Sequence, residues 1–467
     1  MSGLLVDITP LRRSPGFRRL WWGQGLAAIG GQFTTMAVSL EVYDLTRSTF
    51  MVGLLGVFAV VPLVLLGFWG GSVIDTHDRR TVALISALVM WAATIGLAVE
   101  AWFHLDNIWL LYAMVGVQSG AGAINMPART AVIPRLVDRD LLPAANALNS
   151  VTWTLALMVG PLLGSVAVAA FGYQAAYTVD VCTFLAALYA VVRLPPIKPL
   201  TGEGAGAVSG EATVPIPDAA SGEGSGALPH AASGEIPQSP RFGHTWRMMV
   251  DGFRFLATHP TVAMTLFMDL AANVFAQPVA MYPAVAKEMI GGGPTTAGWL
   301  ASFVAIGSVV AILFSGPLGK VRRQGRVVAI MVTGWGLGIL GFGVVLTLVG
   351  STHPDHVIGW ALAGSAICLS FAGACDSFSS VFRNTILQSA TPDRLQGRLQ
   401  GIFTVNTNGG PNLGKVFCGS MSQALGHVSP VPLGLTAVIG GGLCMATAAL
   451  LAKLLPSFWK YDARAER

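Results

Sequence analysis

The sequence predicts an all-α membrane protein with twelve transmembrane helices arranged as two pseudo-symmetric six-helix halves. Three observations carry this expectation. Hydrophobic residues make up 53% of the 467 and charged residues only 11%, against about a quarter charged in soluble domains. The apolar residues come in runs of about 20, the length a helix needs to cross a bilayer. Between two apolar stretches of similar length stands one polar tract, Pro195 to Pro240.

The chain opens on a basic stretch, Arg12, Arg13, Arg18 and Arg19, followed by a long apolar run without a small-residue cleavage site. This reads as a retained first helix and not as a signal peptide. Spans are expected near 18–43, 50–73, 81–103, 108–130, 143–170 and 174–194, and then near 258–285, 296–319, 327–350, 356–382, 399–425 and 432–455. The implied domains are a six-helix half over 1–194, a linker over 195–245 and a second six-helix half over 246–467.

Gly, Ser, Ala, Pro and Glu dominate the linker, where Ser209, Ser221 and Ser233 each open a Ser-Gly-Glu triplet at a spacing of 12. Such a composition cannot bury a core, so the tract reads as a disordered spacer. Beyond it, Phe242 to Thr258 carries Trp246, Arg247, Phe253, Arg254 and Phe255, a basic amphipathic approach suited to the membrane surface.

Orientation follows from the positive residues. With both termini and the linker on one side, that side receives all 28 Lys and Arg except Arg47, Lys287 and Lys415. The bias predicts cytoplasmic termini in an inner (plasma) membrane. The net charge of +5 is then a topological signal and calls for no nucleic-acid partner. The five Cys residues lie within apolar runs with no Cys-x-x-Cys pair, which argues against a disulfide framework or a metal site and for small buried hydrophobes. No cofactor is expected.

Three segments recur in order. Arg129 to Leu141, at the end of span four, aligns without a gap on Arg383 to Leu395 at the end of span ten. Gly160, Pro161 and Gly164 in span five answer to Gly410, Pro411 and Gly414 in span eleven. The loop with Gly71, Asp75, Arg79 and Arg80 has a decayed copy in Gly316, Lys320 and Gly325. Together these indicate two related halves.

At these residues the chain resembles the major facilitator superfamily. The Gly71/Asp75/Arg79/Arg80 loop matches its signature between spans two and three, and Gly160-Pro161-x-x-Gly164 matches the signature called the antiporter motif. More narrowly the chain looks like the enterobactin exporter family, through Gly252 to Leu256, Tyr282 to Ala284, Ser379, Ser380, Thr385 to Gln388, Thr391, Pro392, Gly397, Arg398 and Gly401. Two departures stand out. Proton-coupled drug exporters carry an Arg three residues before a span-four Gln; here Gln118 is present but Val115 takes the Arg position. The second signature loop has Lys320 where the first has Asp75.

In such a fold Asp75 sits near the start of span eleven, where a helix N-terminus stabilises a carboxylate by about 0.3–1 kcal/mol. Gly71, Asp75, Arg79 and Arg80 then form a conformational latch. A solvated loop charge that only sets orientation is the alternative. Gly160, Pro161, Gly164, Gly410, Pro411 and Gly414 are expected to let spans five and eleven bend and pack closely.

Ionisable and amide side chains within spans are candidates for substrate or proton binding: Gln32, Asp269, Asn273, Asp376, Asn406, Asn412 and Lys415. Asp269 is the first choice for a proton carrier, with a permanent Asp269–Lys415 pair as the alternative. Asp376 and Arg383, seven residues apart on nearly one face, are expected to pair as a structural contact or gate. Glu41, Asp44 and Glu100 are expected at the membrane interface, with Asp180 intermediate. Among the apolar and aromatic residues, Phe33, Met36, Trp153, Phe267, Phe275 and Phe403 are candidates for substrate contact, with lipid-facing or packing roles as the favoured alternative for most of them.

What the resemblance implies is a secondary active transporter, not an enzyme, exporting a siderophore or similar amphiphilic small molecule by alternating access and proton antiport, as a monomer embedded in membrane lipid. A multidrug efflux pump, a lysophospholipid transporter and a membrane-integral enzyme remain open as alternatives.

Overall fold

A computed structural model describes residues 7–76, 78–130, 132–193, 254–313, 323–391 and 393–459. The spacer, most of the 242–258 approach, His77 and the second signature loop with Gly316 and Lys320 lie outside the described residues.

The first six long helices are α1 (Pro15–Thr46), α2 (Thr49–Thr76), α3 (Arg79–Phe103), α4 (Ile108–Thr130), α5 (Leu142–Phe171) and α6 (Tyr173–Val192). The second six are α7 (Pro260–Phe275), α8 (Gly293–Leu313), α9 (Gln324–Val349), α10 (Gly359–Ser389), α11 (Asp393–Gly426) and α12 (Pro432–Leu454). Among the described residues nine stretches are long and apolar enough to cross a membrane. The other three long helices, α1, α4 and α11, pack among them and carry the polar residues that lower their hydropathy.

Local chemistry sets the boundaries. Ser14 Oγ accepts the Phe17 N–H at 3.1 Å, and Pro15 opens α1, an arrangement that satisfies one of the orphan donors of a helix start. Arg47 closes α1 in the left-handed conformation at φ 52°. The Asp78 carboxylate caps α3 by accepting the Arg80 N–H at 3.0 Å. Gly172, at φ 83°, turns the chain between α5 and α6, a conformation that disfavours any side chain with a Cβ.

The seventh span is expected to be continuous over 258–285. It is instead broken: α7 ends at Phe275, a 3₁₀ turn covers Val279–Met281, and a short helix runs Tyr282–Glu288. Pro278 explains the break, because it lacks the N–H that a continuing helix would need.

Within the first six helices α1 packs on α5 and α6, α2 on α4, and α3 on α4 and α6; within the last six, α7 packs on α11 and α12, α8 on α10, and α9 on α10 and α12. Two seams join the sets, α2 against α11 and α5 against α8. These seams follow the repeat. At one, Gly298 of α8 lies against Ser165 and the Pro161 carbonyl of α5; at the other, Gly53 of α2 lies against the Lys415 carbonyl of α11. Ser165 and Lys415 occupy equivalent places after the two Gly-Pro-x-x-Gly segments.

Several expected placements are corrected. Glu41 and Glu100 are not interfacial: they are 6% and 1% exposed, enclosed by their neighbours at the helix ends. Asp180 is likewise buried, with one oxygen accepting from Thr34 Oγ1 at 2.6 Å. Cys182 is exposed, unlike the buried Cys375, Cys418 and Cys444.

Candidate transport site

Asp269, on the middle turns of α7, is the hub of a polar network inside the second six helices. Its Oδ1 lies 2.9 Å from Arg383 Nη1 of α10. Asn273, one turn on, donates to the same oxygen at 3.0 Å, and Asn406 of α11 donates to Oδ2 at 2.7 Å. Arg383 Nη2 donates to Asp376 at 3.2 Å, closing a chain of two acids around one guanidinium. The three charged groups leave one net negative charge.

Exposure separates the two acids. The Asp269 and Arg383 side chains are almost fully enclosed, whereas the Asp376 side chain is 44% exposed. The exposed apolar residues of α10, Ile367, Phe371 and Val381, lie on the opposite helical face at 100° per residue. Asp376 thus lies on the face of α10 turned away from those apolar residues. The Arg383–Asp269 approach is close but not aligned as a hydrogen bond, and Arg383 Nε and Nη1 keep N–H groups without an acceptor among the described residues.

Lys415 does not pair with Asp269. Its Nζ donates to Asn412 Oδ1 at 3.2 Å, one turn back on α11. The pairing fails because Arg383 already occupies the Asp269 carboxylate, while Lys415 belongs to the part of α11 that meets α2. Asn412 and its seam partner Gly56 bring α2 and α11 into backbone contact.

The two Gly-Pro-x-x-Gly segments serve close approach. On α5, Gly160 lies against Gln32 of α1, and a Cβ on Gly164 would stand 2.8 Å from the Phe33 Cα. On α11, a Cβ on Gly410 would stand 2.9 Å from Asn273 Cβ, and one on Gly414 2.6 Å from Gln277 Cβ. Pro161 and Pro411 sit inside these helices. Thus Gln32 and Asn273 line the helix contacts that the glycines permit. Of the hydrophobic candidates, Phe33 and Met36 are core residues and Phe403 is buried against α7, while Trp153 and Phe267 are exposed and Phe275 stacks edge-on with Phe417.

Of the expected latch, Arg80 donates to the Val192 carbonyl at 2.6 Å, tying the start of α3 to the end of α6. Gly71 and Asp75 fall in α2 and Arg79 opens α3; their side chains lie outside the description.

Two contacts were not anticipated. At the end of the bundle away from the termini, Lys287 engages Asp44 and the Tyr43 hydroxyl donates to Glu288, so α1 is tied to the short helix after α7. The Asp269–Arg383 pair was also missed, although the repeat held a signal for it. Arg129, the counterpart of Arg383, reaches Asn125 at 3.2 Å and, with the Gln24 amide oriented to accept, Gln24 of α1 at 2.9 and 3.1 Å. An arginine at the end of each fourth helix therefore reaches the first helix of its set. Among the described residues no cluster of three His, Cys, Asp or Glu side chains is placed to hold a metal ion.

Comparison with known proteins gives this arrangement its context. The family described as transmembrane secretion effector matches residues 6–201. The enterobactin exporters EntS of Shigella boydii serotype 18 (strain CDC 3083-94 / BS512) and Escherichia coli O81 (strain ED1a) are each 23% identical over 453 residues, covering 97% of this chain and 94% of theirs. Among solved structures, an auto-inhibited POT family peptide transporter superposes with a TM-score of 0.68 at 13% identity, over 96% of this chain and 98% of its own. The chain has the major facilitator fold and resembles the enterobactin exporters. The nucleoside transporter NupG shares that fold at a TM-score of 0.66 and 13% identity, over 96% of this chain and all of its own. With nine stretches among the described residues long and apolar enough to cross a membrane, the chain is a multi-pass membrane protein of this fold.

Proposed function

We propose that this transporter exports a siderophore or similar amphiphilic small molecule by alternating access, coupled to proton antiport through Asp269, Arg383 and Asp376. The observation that carries the reading is a buried ion pair, Asp269–Arg383, with a second and more exposed acid, Asp376, on the same guanidinium. When the site faces the cytoplasm, the ionised Asp269 accepts a hydrogen bond from a hydroxyl of the cargo while Arg383 donates to the cargo's oxygens. When it faces outward, a proton bound at Asp269 removes that acceptor and releases the cargo. Loss of the proton to the cytoplasm restores the site for the next cargo. The unused N–H groups of Arg383 are suited to the oxygen-rich chelating groups of a siderophore, since buried donors without acceptors are unfavourable by about 1–3 kcal/mol each. Resemblance to the enterobactin exporters supports this choice of cargo.

All twelve long helices are taken to span the membrane, with 1–194 and 246–467 as rocking halves, 195–245 as a cytoplasmic linker, and both termini cytoplasmic by the Lys and Arg bias. Asp75, Arg79 and Arg80 act as a latch on the cytoplasmic side, and the protein works as a monomer. Reconstitution in proteoliposomes with an imposed pH gradient tests the reading. Gradient-dependent movement of a catecholate siderophore is expected; movement of cationic dyes without siderophore makes the protein a drug pump instead.

A further inference from the structure

Among the described residues the Asp269 carboxylate has three polar partners, each on a different helix. Asn273, one turn along α7, donates to Oδ1 at 3.0 Å and to the Asp269 carbonyl at 2.9 Å. Both ends of that contact ride on one helix, so it survives any movement of α7 as a body. Arg383 approaches the same oxygen from α10. Oδ2 is served from α11, where Asn406 donates to it at 2.7 Å and to the Leu266 carbonyl of α7 at 3.4 Å.

α11 is also the helix of the second six that meets α2 of the first. Within about three turns of Asn406, its backbone lies directly against α2. A Cβ on Gly53 would stand 2.6 Å from the Lys415 carbonyl oxygen, and one on Gly56 would run into the Asn412 carbonyl. Small residues permit this approach, and with no side chain between the two backbones nothing soft is left to absorb a displacement. Pro411 deprives the Thr407 carbonyl of its partner, yet α11 is one helix from Asp393 to Gly426. The Asn406–Asp269 bond therefore depends on where α11 stands, as the Asn273 bond does not.

We propose that Asn406 is a positioning residue that ties the Asp269 carboxylate to α11, so that a shift of α11 at the α2 seam removes the donor to Oδ2. The assignment rests on Asp269 being the proton-binding acid, and it gives a rearrangement between the two sets of helices a direct route to that acid. A hydrogen bond to an ionised carboxylate is among the strong ones, so its making or breaking distinguishes the two arrangements.

Infrared difference spectroscopy tests this on the full-length protein in phosphatidylcholine–phosphatidylglycerol bilayers, in alkaline buffer, without cargo or gradient. The Asp269 carboxylate stretch is the band that Asp269→Asn removes. Asn406→Leu and the milder Asn406→Ser are each expected to shift that band, while Thr407→Val, at an exposed position of α11, leaves it in place. Gly56→Ala should shift it in the same direction by a smaller amount, and should add nothing once Asn406 is Leu. Gly53→Ala probes the same seam if Gly56→Ala does not fold. An unshifted band in both Asn406 variants overturns the positioning role. No shift from either seam variant, or the same shift with and without Asn406, overturns the link to the seam. Since nothing is transported in this experiment, a band that moves as expected in a protein that exports no siderophore would sink the export reading alone.

Discussion

Asp269 and Arg383, separated by more than a hundred positions in the chain, meet at 2.9 Å between α7 and α10 with both side chains almost wholly enclosed. Removing one partner of a buried pair costs about 3–5 kcal/mol, because the other charge is left uncompensated. The two removals are not equivalent here. Without Asp269, Arg383 keeps Asp376; without Arg383, two acids remain with no cation in the network. Arg383→Gln is therefore expected to lower the melting temperature in detergent more than Asp269→Asn does. The double variant should recover part of the loss. Equal destabilisation by the two single changes would show that Asp376 lends Arg383 no support.

Asp269→Asn keeps the shape of the side chain and can accept from one of Asn273 and Asn406, but it cannot exchange a proton. Uphill export driven by a pH gradient should fall to background in this variant. Cargo binding to purified protein, read by intrinsic Trp fluorescence, should stay within a few-fold of wild type. Gradient-driven export that persists unchanged would remove Asp269 from the coupling step.

The glycines of the two Gly-Pro-x-x-Gly segments make a steric prediction. A Cβ at Gly164 meets the backbone of Phe33, which cannot rotate away, whereas a Cβ at Gly414 meets the Gln277 side chain and the Asn273 carbonyl. Gly164→Ala and Gly414→Ala must each push a helix pair apart, and overpacking of this kind costs about 1–3 kcal/mol. Both variants should insert normally and transport slowly. Gly31→Ala, where a Cβ meets nothing within 4 Å, is the control and should transport as wild type.

Much of the helical layout was legible in the sequence because a bilayer imposes one length and one polarity on every span. The break in the seventh span could have been read from Pro278, but hydropathy alone averages over it. The site was less legible. Asp376 and Arg383 lie on one helix, so a spacing of seven places them on one face. Asp269 and Arg383 are brought together only by the packing of α7 on α10, which no local spacing encodes. The same limit explains the erroneous Lys415 pairing, which rested on charge alone. Burial of Glu41 and Glu100 was likewise hidden, since a position near a helix end does not say whether lipid headgroups or Tyr177 will cover it.

Asp75, near the end of α2, is the acid of the signature loop, and its second-half counterpart is Lys320. Only the first copy can offer a negative charge to a helix N-terminus, an interaction worth up to about 2 kcal/mol when partly buried. Asp75→Asn should leave expression and membrane insertion intact while reducing export several-fold, checked by initial rates in vesicles normalised to protein. Wild-type rates in that variant would reduce the loop to an orientation signal.

The spacer from Pro195 to Pro240 joins the two sets of helices without a composition that could pack against either. A flexible chain of that many residues has a root-mean-square span of about 37 Å, and one twelve residues shorter a span of about 32 Å. The corresponding change in loop-closure free energy is about 0.3 kcal/mol, too small to alter a conformational cycle. Deletion of Ser209 to Ala220 is therefore expected to leave the export rate and the melting temperature unchanged. Lost export from a well-inserted deletion variant would mean that the repeat binds something, because its length alone cannot account for such a loss.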